Sequence, residues 1–163
     1  MRMKSVIAGL GLVCALGALA GCGTTHTEGR DSSDQITQAG NVDAFNVKLG
    51  DCLISGTLDS TFSNVPGVPC TEAHDSEVTY VFNMPDGDFD QDAIDSAAED
   101  ACTQSMEDYV GPNWSTVLDG GLDWTYFTPT SSSWANGDRI VDCLAMSTSG
   151  ENDLTSSVKG IGA

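Results

Sequence analysis

The sequence predicts an α+β domain: a small, mainly antiparallel sheet with one main helix packed on it, held by two disulfides. Three observations predict this fold class. A helical periodicity fills residues 90–110, strand-like segments lie on both sides of it, and four cysteines follow residue 50. Because the strands do not alternate regularly with helices, a parallel βαβ sheet is not expected.

The amino terminus has the layout of an export signal. Arg2 and Lys4 precede an apolar run over residues 6–20, shorter than the roughly 20 residues that span a bilayer. The run ends Leu-Ala-Gly-Cys22, which closely resembles the lipobox of bacterial lipoproteins. This resemblance implies a signal peptide over residues 1–21, cleavage before Cys22, and a diacylglyceryl anchor with acyl chains such as palmitate on that cysteine. An ordinary signal peptide and a retained membrane helix are the weaker alternatives.

The charge restricts the partners. Removal of residues 1–21 takes two of the six Lys+Arg and no acidic residue, which leaves four against 24 Asp+Glu, or a formal charge of −20. So acidic a chain lacks the basic footprint that nucleic acid or anionic lipid requires. We therefore expect no nucleic-acid partner, and either a simply soluble surface or one that meets a basic partner or divalent cations.

The composition of the mature chain predicts two regions, a tether and a folded domain. Residues 22–44 are polar and rich in Gly, Ser and Thr, and are predicted to be a flexible tether behind the lipidated cysteine. The folded domain is expected over residues 45–163. It is expected to begin with a short strand over residues 45–49, where apolar positions alternate, followed by a turn, a second short strand at 52–54 and a loop over 55–69.

The clearest elements follow that loop. Residues 78–82 (VTYVF) predict a central strand, and residues 90–110 predict the main helix, capped by Asp90 and stopped by Gly111. Residues 124–127 and 139–146 are expected to be antiparallel neighbours joined by a loop, and the chain from Ser147 onward is expected to be a loop.

Four cysteines remain in the domain, and an even number in an exported chain predicts disulfides. Three pairings are possible, and we favour Cys52–Cys70 with Cys102–Cys143. The first pair closes a loop rich in Gly, Ser, Asn and Pro, and the second ties the helix to a late strand. Zinc binding by Cys70 and His74 is the disfavoured alternative, since no Cys-x-x-Cys pair exists and the compartment is oxidising.

Three other patterns could carry chemistry. Asp88, Asp90, Asp92 and Glu99 follow EF-hand spacing, but Ala93 stands where the loop needs glycine, so an acidic helix start is favoured over a calcium site. His74-Asp75 could form the base of a hydrolase, yet no activated nucleophile is visible, so a hydrogen-bonded turn is favoured.

The third pattern is the segment that contains Trp134, Asp138 and Arg139. Trp134 is expected to pack in the core rather than to face a ligand. Arg139 is expected to pair with carboxylates, either near Asp138 or at Asp75. These three residues, with His74 and Asp75, are the candidate binding residues.

A series of short motifs resembles the septum-formation domain family of high-GC Gram-positive bacteria. They cover nearly all of residues 45–145 and comprise Leu49–Cys52, Val65–Cys70, His74-Asp75 with Glu77-Val78, Cys102, Tyr109–Gly111, Pro129-Thr130, Ser133-Trp134, Gly137–Arg139 and Cys143. Ala73 departs from the family, which usually has proline there. The resemblance implies an envelope domain, often membrane-anchored and linked to cell division, with no catalytic residues to carry over.

The expected function is therefore a non-enzymatic, lipid-anchored domain on the outer face of the cell membrane that binds an envelope or division protein. A sensor or binding module for a small ligand or wall fragment is the second hypothesis, and a hydrolase at His74 and Asp75 is the third. No cofactor, no metal and no catalytic residue is expected.

Overall fold

The computed structural model describes residues 29–56, 58 and 61–163, and its fold is α+β, as predicted. The main sheet is antiparallel, has six strands and follows the order β3-β5-β4-β6-β8-β7, while β1 and β2 pair separately. The strands are β1 (Gly29–Arg30), β2 (Ile36–Gln38), β3 (Gly40–Asp43), β4 (Cys52–Leu53), β5 (Asn64–Val68), β6 (Ser76–Asn83), β7 (Leu122–Phe127) and β8 (Ile140–Ser147).

Two long strands form the middle of this sheet. β6 pairs with β8 from Ser76↔Met146 to Asn83↔Ile140, and β8 pairs in turn with β7 from Leu122↔Ser147 to Phe127↔Asp142. The predicted central position of residues 78–82 is confirmed, and so is the antiparallel pairing of the last two strands. The chemistry of the candidate site depends on this register.

The main helix, α1 (Gln91–Ser105), continues as a π-helical turn over Met106–Val110. The Asp90 carboxylate accepts a hydrogen bond from the Ala93 amide at 3.1 Å and caps the free amino end, as expected. The helix ends at Gly111, whose φ of 117° favours glycine. A Cβ at Gly111 would lie 2.4 Å from the carbonyl carbon of Gly162, so the carboxyl-terminal segment also needs a glycine there.

The two faces of the sheet bury different cores. Alternation along β8 directs Val141 and Cys143 toward α1, where they pack with Ile94, Ala98 and Cys102. The intervening residues point the other way. On that face Leu144 belongs to a second core with members from β3, β4, β5 and β6, namely Val42, Leu53, Val65 and Val78.

Both predicted disulfides are confirmed. Cys52–Cys70 joins β4 to the chain after β5, with a Cα–Cα distance of 5.2 Å. Cys102–Cys143 joins α1 to β8, with a Cα–Cα distance of 5.1 Å. Each closure contributes about 3–4 kcal/mol on a loop-entropy estimate.

The structure corrects the prediction of a tether over residues 22–44 for the part that it describes. Residues 29–43 contain three strands, and β3 pairs with β5 along four residues. Arg30 binds the buried Asp51 carboxylate through two hydrogen bonds of 2.7 and 2.8 Å. Ile36 and Val42 enter the core, and their burial holds a polar segment whose composition alone indicates a coil.

Two further predictions are wrong. The strand expected over residues 45–49 is absent, and Ala44–Asn46 instead forms a 3₁₀ turn capped by Asp43. The loop expected over 55–69 contains β5, which includes Pro66 and Gly67, two residues that rarely occupy strands. Pro66 has no N–H to donate, but its carbonyl still accepts a hydrogen bond from the Ile54 amide at 2.9 Å beside the short β4.

The chain after Ser147 has no named strand or helix, as expected, but part of it is buried. Leu154 forms an isolated β-bridge with His74, and Leu154 and Val158 join the core beneath the π-helical turn. None of the helices in the described part has the length and hydropathy needed to cross a membrane.

Candidate functional site

A groove lies on the sheet face opposite α1, with a volume of about 640 Å³, which is in the range of small-molecule sites. Three chain segments form its walls: the turn after β3, the chain before β5, and the loop between β7 and β8. The lining is rich in hydroxyl and aromatic groups and comprises Ala44, Phe45, Thr61, Phe62, Ser63, Phe127, Thr128, Thr130, Ser131, Ser132, Ser133, Asp138, Ile140 and Asp142.

Asp142 is the unusual member of this lining. It stands in the middle of β8, between Val81 of β6 and Phe127 of β7 in the sheet register. Its side chain is 3% exposed, and no donor among the described residues reaches its Oδ1 atom. Burial, followed by the negative charges of Asp138 and Asp51, raises the pKa of Asp142 to about 7. The carboxyl therefore changes charge near neutral pH.

The loop between β7 and β8 is held in shape by its own hydrogen bonds. Thr130 and Ser133 form a reciprocal capping box at the start of a short helix, α2 (Ser131–Ala135). Beyond α2, the Asp138 carboxylate accepts a hydrogen bond from the Ile140 amide at 3.0 Å. One wall of the groove is thus preformed rather than shaped by a ligand.

Trp134 packs behind this wall and does not line the groove, so the prediction of a core role is confirmed. Its ring is 7% exposed, meets Phe89 edge to face, and donates from Nε1 to the Gly87 carbonyl at 2.9 Å. The Arg139 guanidinium covers the ring at 3.8 Å from the centroid, a cation–π contact. A ligand cannot reach that covered face.

Arg139 lies near the carboxylate of Asp86, in the loop before α1, and not near that of Asp75. Its Nε atom lies 3.3 Å from Asp86 Oδ1, without hydrogen-bond alignment, and Nη1 donates to the carbonyls of Trp134 and Asp138. The suggested pairing with Asp75 is wrong, because Asp75 lies beyond the opposite end of β6. The candidate binding residues therefore fall into two separate groups.

The second group, His74 and Asp75, is built into the fold. His74 is fully buried, with Nδ1 2.7 Å from the Glu72 carbonyl and Nε2 without a described partner. Asp75 accepts hydrogen bonds from the amides of Ser55 and Gly56 and from the hydroxyls of Ser55 and Ser76, at 2.7–3.0 Å. This carboxylate is fully used in fixing the loop after β4.

The metal alternatives are not supported. α1 begins at Gln91, so residues 88–99 do not form a twelve-residue calcium loop. Cys70 is bonded to Cys52 and is not free to join His74 on zinc. Across the described part of the chain, the group of potential ligands found is Cys52, Cys70 and Glu77, and its two sulfur atoms form that disulfide.

The groove and Asp142 were not among the sites predicted from the sequence. The groove assembles segments about 80 residues apart, and their meeting depends on β5, which was assigned to a loop. One signal was available: Asp142 is the lone charged residue in Ile-Val-Asp-Cys-Leu-Ala-Met over positions 140–146. A carboxylate in an otherwise apolar strand indicates either a buried partner or a site.

The fold and the groove define a small, disulfide-bonded α+β domain with a preformed, acidic and hydroxyl-rich cleft. The family model described as "Septum formation" matches residues 14–157. The chain belongs to this septum-formation family, which confirms the resemblance of its motifs. Origin in a high-GC Gram-positive bacterium stays a prediction. Comparison with curated proteins and with solved structures gave no significant match.

Proposed function

We propose that the protein is an exported lipoprotein, anchored through Cys22, whose domain acts outside the cell membrane as a non-enzymatic binding module in septum formation. Membership of the septum-formation family supports the cellular role. Cys22 and the signal lie outside the described residues, so the anchor rests on the lipobox sequence.

The observation that carries the export proposal is the pair of buried disulfides. Cys52, Cys102 and Cys143 have no exposed surface, and their bonds tie α1 and β4 into the fold. Disulfides of this kind form and persist in oxidising compartments, and are rare in the cytosol. The acidic surface supplies no electrostatic attraction to anionic lipid, so attachment would depend on the Cys22 anchor.

The surroundings of His74 and Asp75 support a binding role over hydrolysis. A general base must reach a substrate proton, but His74 is fully buried and its Nδ1 is used on a backbone carbonyl. Asp75 accepts four hydrogen bonds, and none of their donors is the His74 imidazole. The pair thus has the environment of a structural turn.

The experiment is the intact mass of the full chain extracted from membranes of its own host, before and after reduction. We expect residues 22–163 plus a diacylglyceryl group, with four hydrogens gained on reduction. Cys22→Ser should move the protein to the soluble fraction, whereas Cys14→Ser, inside the signal, should change nothing. An unlipidated mass in which Cys52, Cys70, Cys102 and Cys143 are free thiols would overturn export and anchoring. Normal septa after depletion of the protein would overturn the septal role.

A binding module for a small ligand is the second candidate function, and the groove favours it. The cleft has the volume of a ligand site and ends on a buried carboxyl oxygen without a partner. Native proteins satisfy nearly all buried polar atoms, so an unsatisfied one beside a cleft points to a group that arrives with a ligand.

A further inference from the structure

The charge of the groove has one sign. Asp138 and Asp142 are the ionisable side chains among its lining residues, and no Lys, Arg or His is among them. The mature chain has four Lys+Arg against 24 Asp+Glu in total, and none of the four lines the groove. A cation entering the groove therefore meets attraction and no competing positive group.

The buried Asp142 carboxyl lacks the partner that the other buried carboxylates have. A carboxylate out of water is costly unless donors surround it, and its Oδ1 has none among the described residues. An ammonium group carries three N–H donors and one positive charge, and supplies what this oxygen lacks. Nearby hydroxyls of the Thr130–Ser133 turn offer further acceptors.

Aromatic rings flank the approach to Asp142. Phe127 is its cross-strand neighbour, and Phe62 meets Phe127 edge to face with 4.6 Å between ring centroids. Phe45, at another wall, is 54% exposed, which is unusual for a large apolar ring. Such surfaces pack against a short alkyl chain and attract a cation through their π faces.

We propose that the groove binds an alkylammonium group, with the ammonium at Asp142 and the alkyl stem along Phe62 and Phe127. This inference rests on the second candidate function and names its ligand chemistry. The group is carried either by a free diamine or by a lysine-type side chain of a peptide. A divalent metal fits less well, because Asp138 and Asp142 do not belong to a described group of three close ligands.

The test is calorimetric titration of the detergent-solubilised mature protein in amine-free buffer at pH 8. The probes are Nα-acetyl-lysine amide, its uncharged match Nα-acetyl-norleucine amide, 1,5-diaminopentane and the neutral sugar chitobiose. We expect the lysine derivative to bind at least about tenfold more tightly than the norleucine derivative. Tighter binding of diaminopentane would identify a free diamine as the ligand type, and tighter binding of the lysine derivative a peptide.

Two variants locate the effect. Asp142→Asn keeps the shape of the side chain and should weaken binding of the lysine derivative about tenfold or more. Asp100→Asn removes the same charge from an exposed position on α1, across the sheet, and should leave affinity within about twofold. Thermal unfolding of both variants confirms that they are folded.

Binding should also depend on pH. Burial and the negative charges of Asp138 and Asp51 raise the pKa of Asp142 to about 7. The Asp142 carboxylate therefore gains a proton as the pH falls below about 7. Affinity for the lysine derivative should fall at least about tenfold between pH 8 and 5.5. Equal binding of the charged and neutral probes, preference for chitobiose, or full affinity in Asp142→Asn would overturn the inference. The absence of binding to any probe would also overturn it. That outcome would not affect the lipid anchor or the septal role, which are tested separately by intact mass and by depletion.

Discussion

The buried carboxylates near the two ends of β6 differ in how many hydrogen-bond donors they have. Asp75, directly before β6, accepts four hydrogen bonds. Glu77, the second residue of β6, accepts three, from the Tyr109 and Ser157 hydroxyls and the Val158 amide, at 2.6–2.7 Å. Beside the other half of β6, Asp142 of β8 is as buried but has an oxygen without a partner. Burial alone therefore does not distinguish a structural carboxylate from a candidate site; the supply of donors does.

The largest effect is expected at Glu77. Glu77→Ala would leave the Tyr109 hydroxyl, the Ser157 hydroxyl and the Val158 amide without their acceptor and release the carboxyl-terminal segment. We expect the free energy of unfolding to fall by about 3–5 kcal/mol, measured by urea denaturation. Glu99→Gln, on the exposed surface of α1, is the control and should change it by less than about 0.5 kcal/mol. A loss below about 1 kcal/mol at Glu77 would contradict this network.

A smaller loss is expected at Asp75. Asp75→Asn replaces one acceptor oxygen with an N–H donor, which faces either the Ser55 and Ser76 donors at Oδ1 or the Gly56 amide at Oδ2. The free energy of unfolding should fall by about 2–3 kcal/mol, again by urea denaturation. Hydrogen exchange at the Gly56 amide should speed up as well, since its hydrogen bond of 2.7 Å ends on this carboxylate. An unchanged midpoint would show that the loop after β4 does not depend on Asp75.

The same substitution at Asp142 should have the opposite sign. Because burial raises its pKa to about 7, the folded state holds this proton longer than the unfolded chain, whose Asp titrates near 3.8. Stability is therefore lost as the pH rises from about 4 to about 7. Asp142→Asn removes that loss and should stabilise the protein by about 1–2 kcal/mol at pH 8, since the amide remains a buried polar group.

The pH series provides the check on Asp142. The difference in unfolding free energy between Asp142→Asn and the unsubstituted protein should shrink toward zero near pH 4. Asp100→Asn serves as the exposed control at each pH. A destabilising effect of Asp142→Asn at pH 8 would mean that the carboxylate has a partner in solution, and would weaken the case for a ligand there.

Much of this fold could be predicted, and the reasons are local. The helix over residues 91–110 follows from its periodicity and its Asp90 cap, and β6 follows from a run of β-branched and aromatic residues. The disulfides follow from an even cysteine count in an exported chain. Each of these signals is contained in a short stretch of sequence.

The missed elements depend on distant partners. β3 reads Gly-Asn-Val-Asp and β5 reads Asn-Val-Pro-Gly-Val, and neither segment favours a strand by itself. They become strands because Val42 and Val65 are buried together when the two segments pair. The groove was not predicted for the same reason, because two of its walls are the chain segments after β3 and before β5. Of the candidate residues in this loop, Asp138 lines the groove, whereas Trp134 and Arg139 lie outside the lining.

The early start of the fold has a geometric consequence. With a lipid on Cys22, six residues lie between the anchor and Gly29, where the described residues and β1 begin. Fully extended, they span at most about 20 Å, which is less than the diameter of roughly 35 Å expected for a domain of this size. The domain would then stay beside the outer leaflet, and anything that enters its groove must come to the membrane surface.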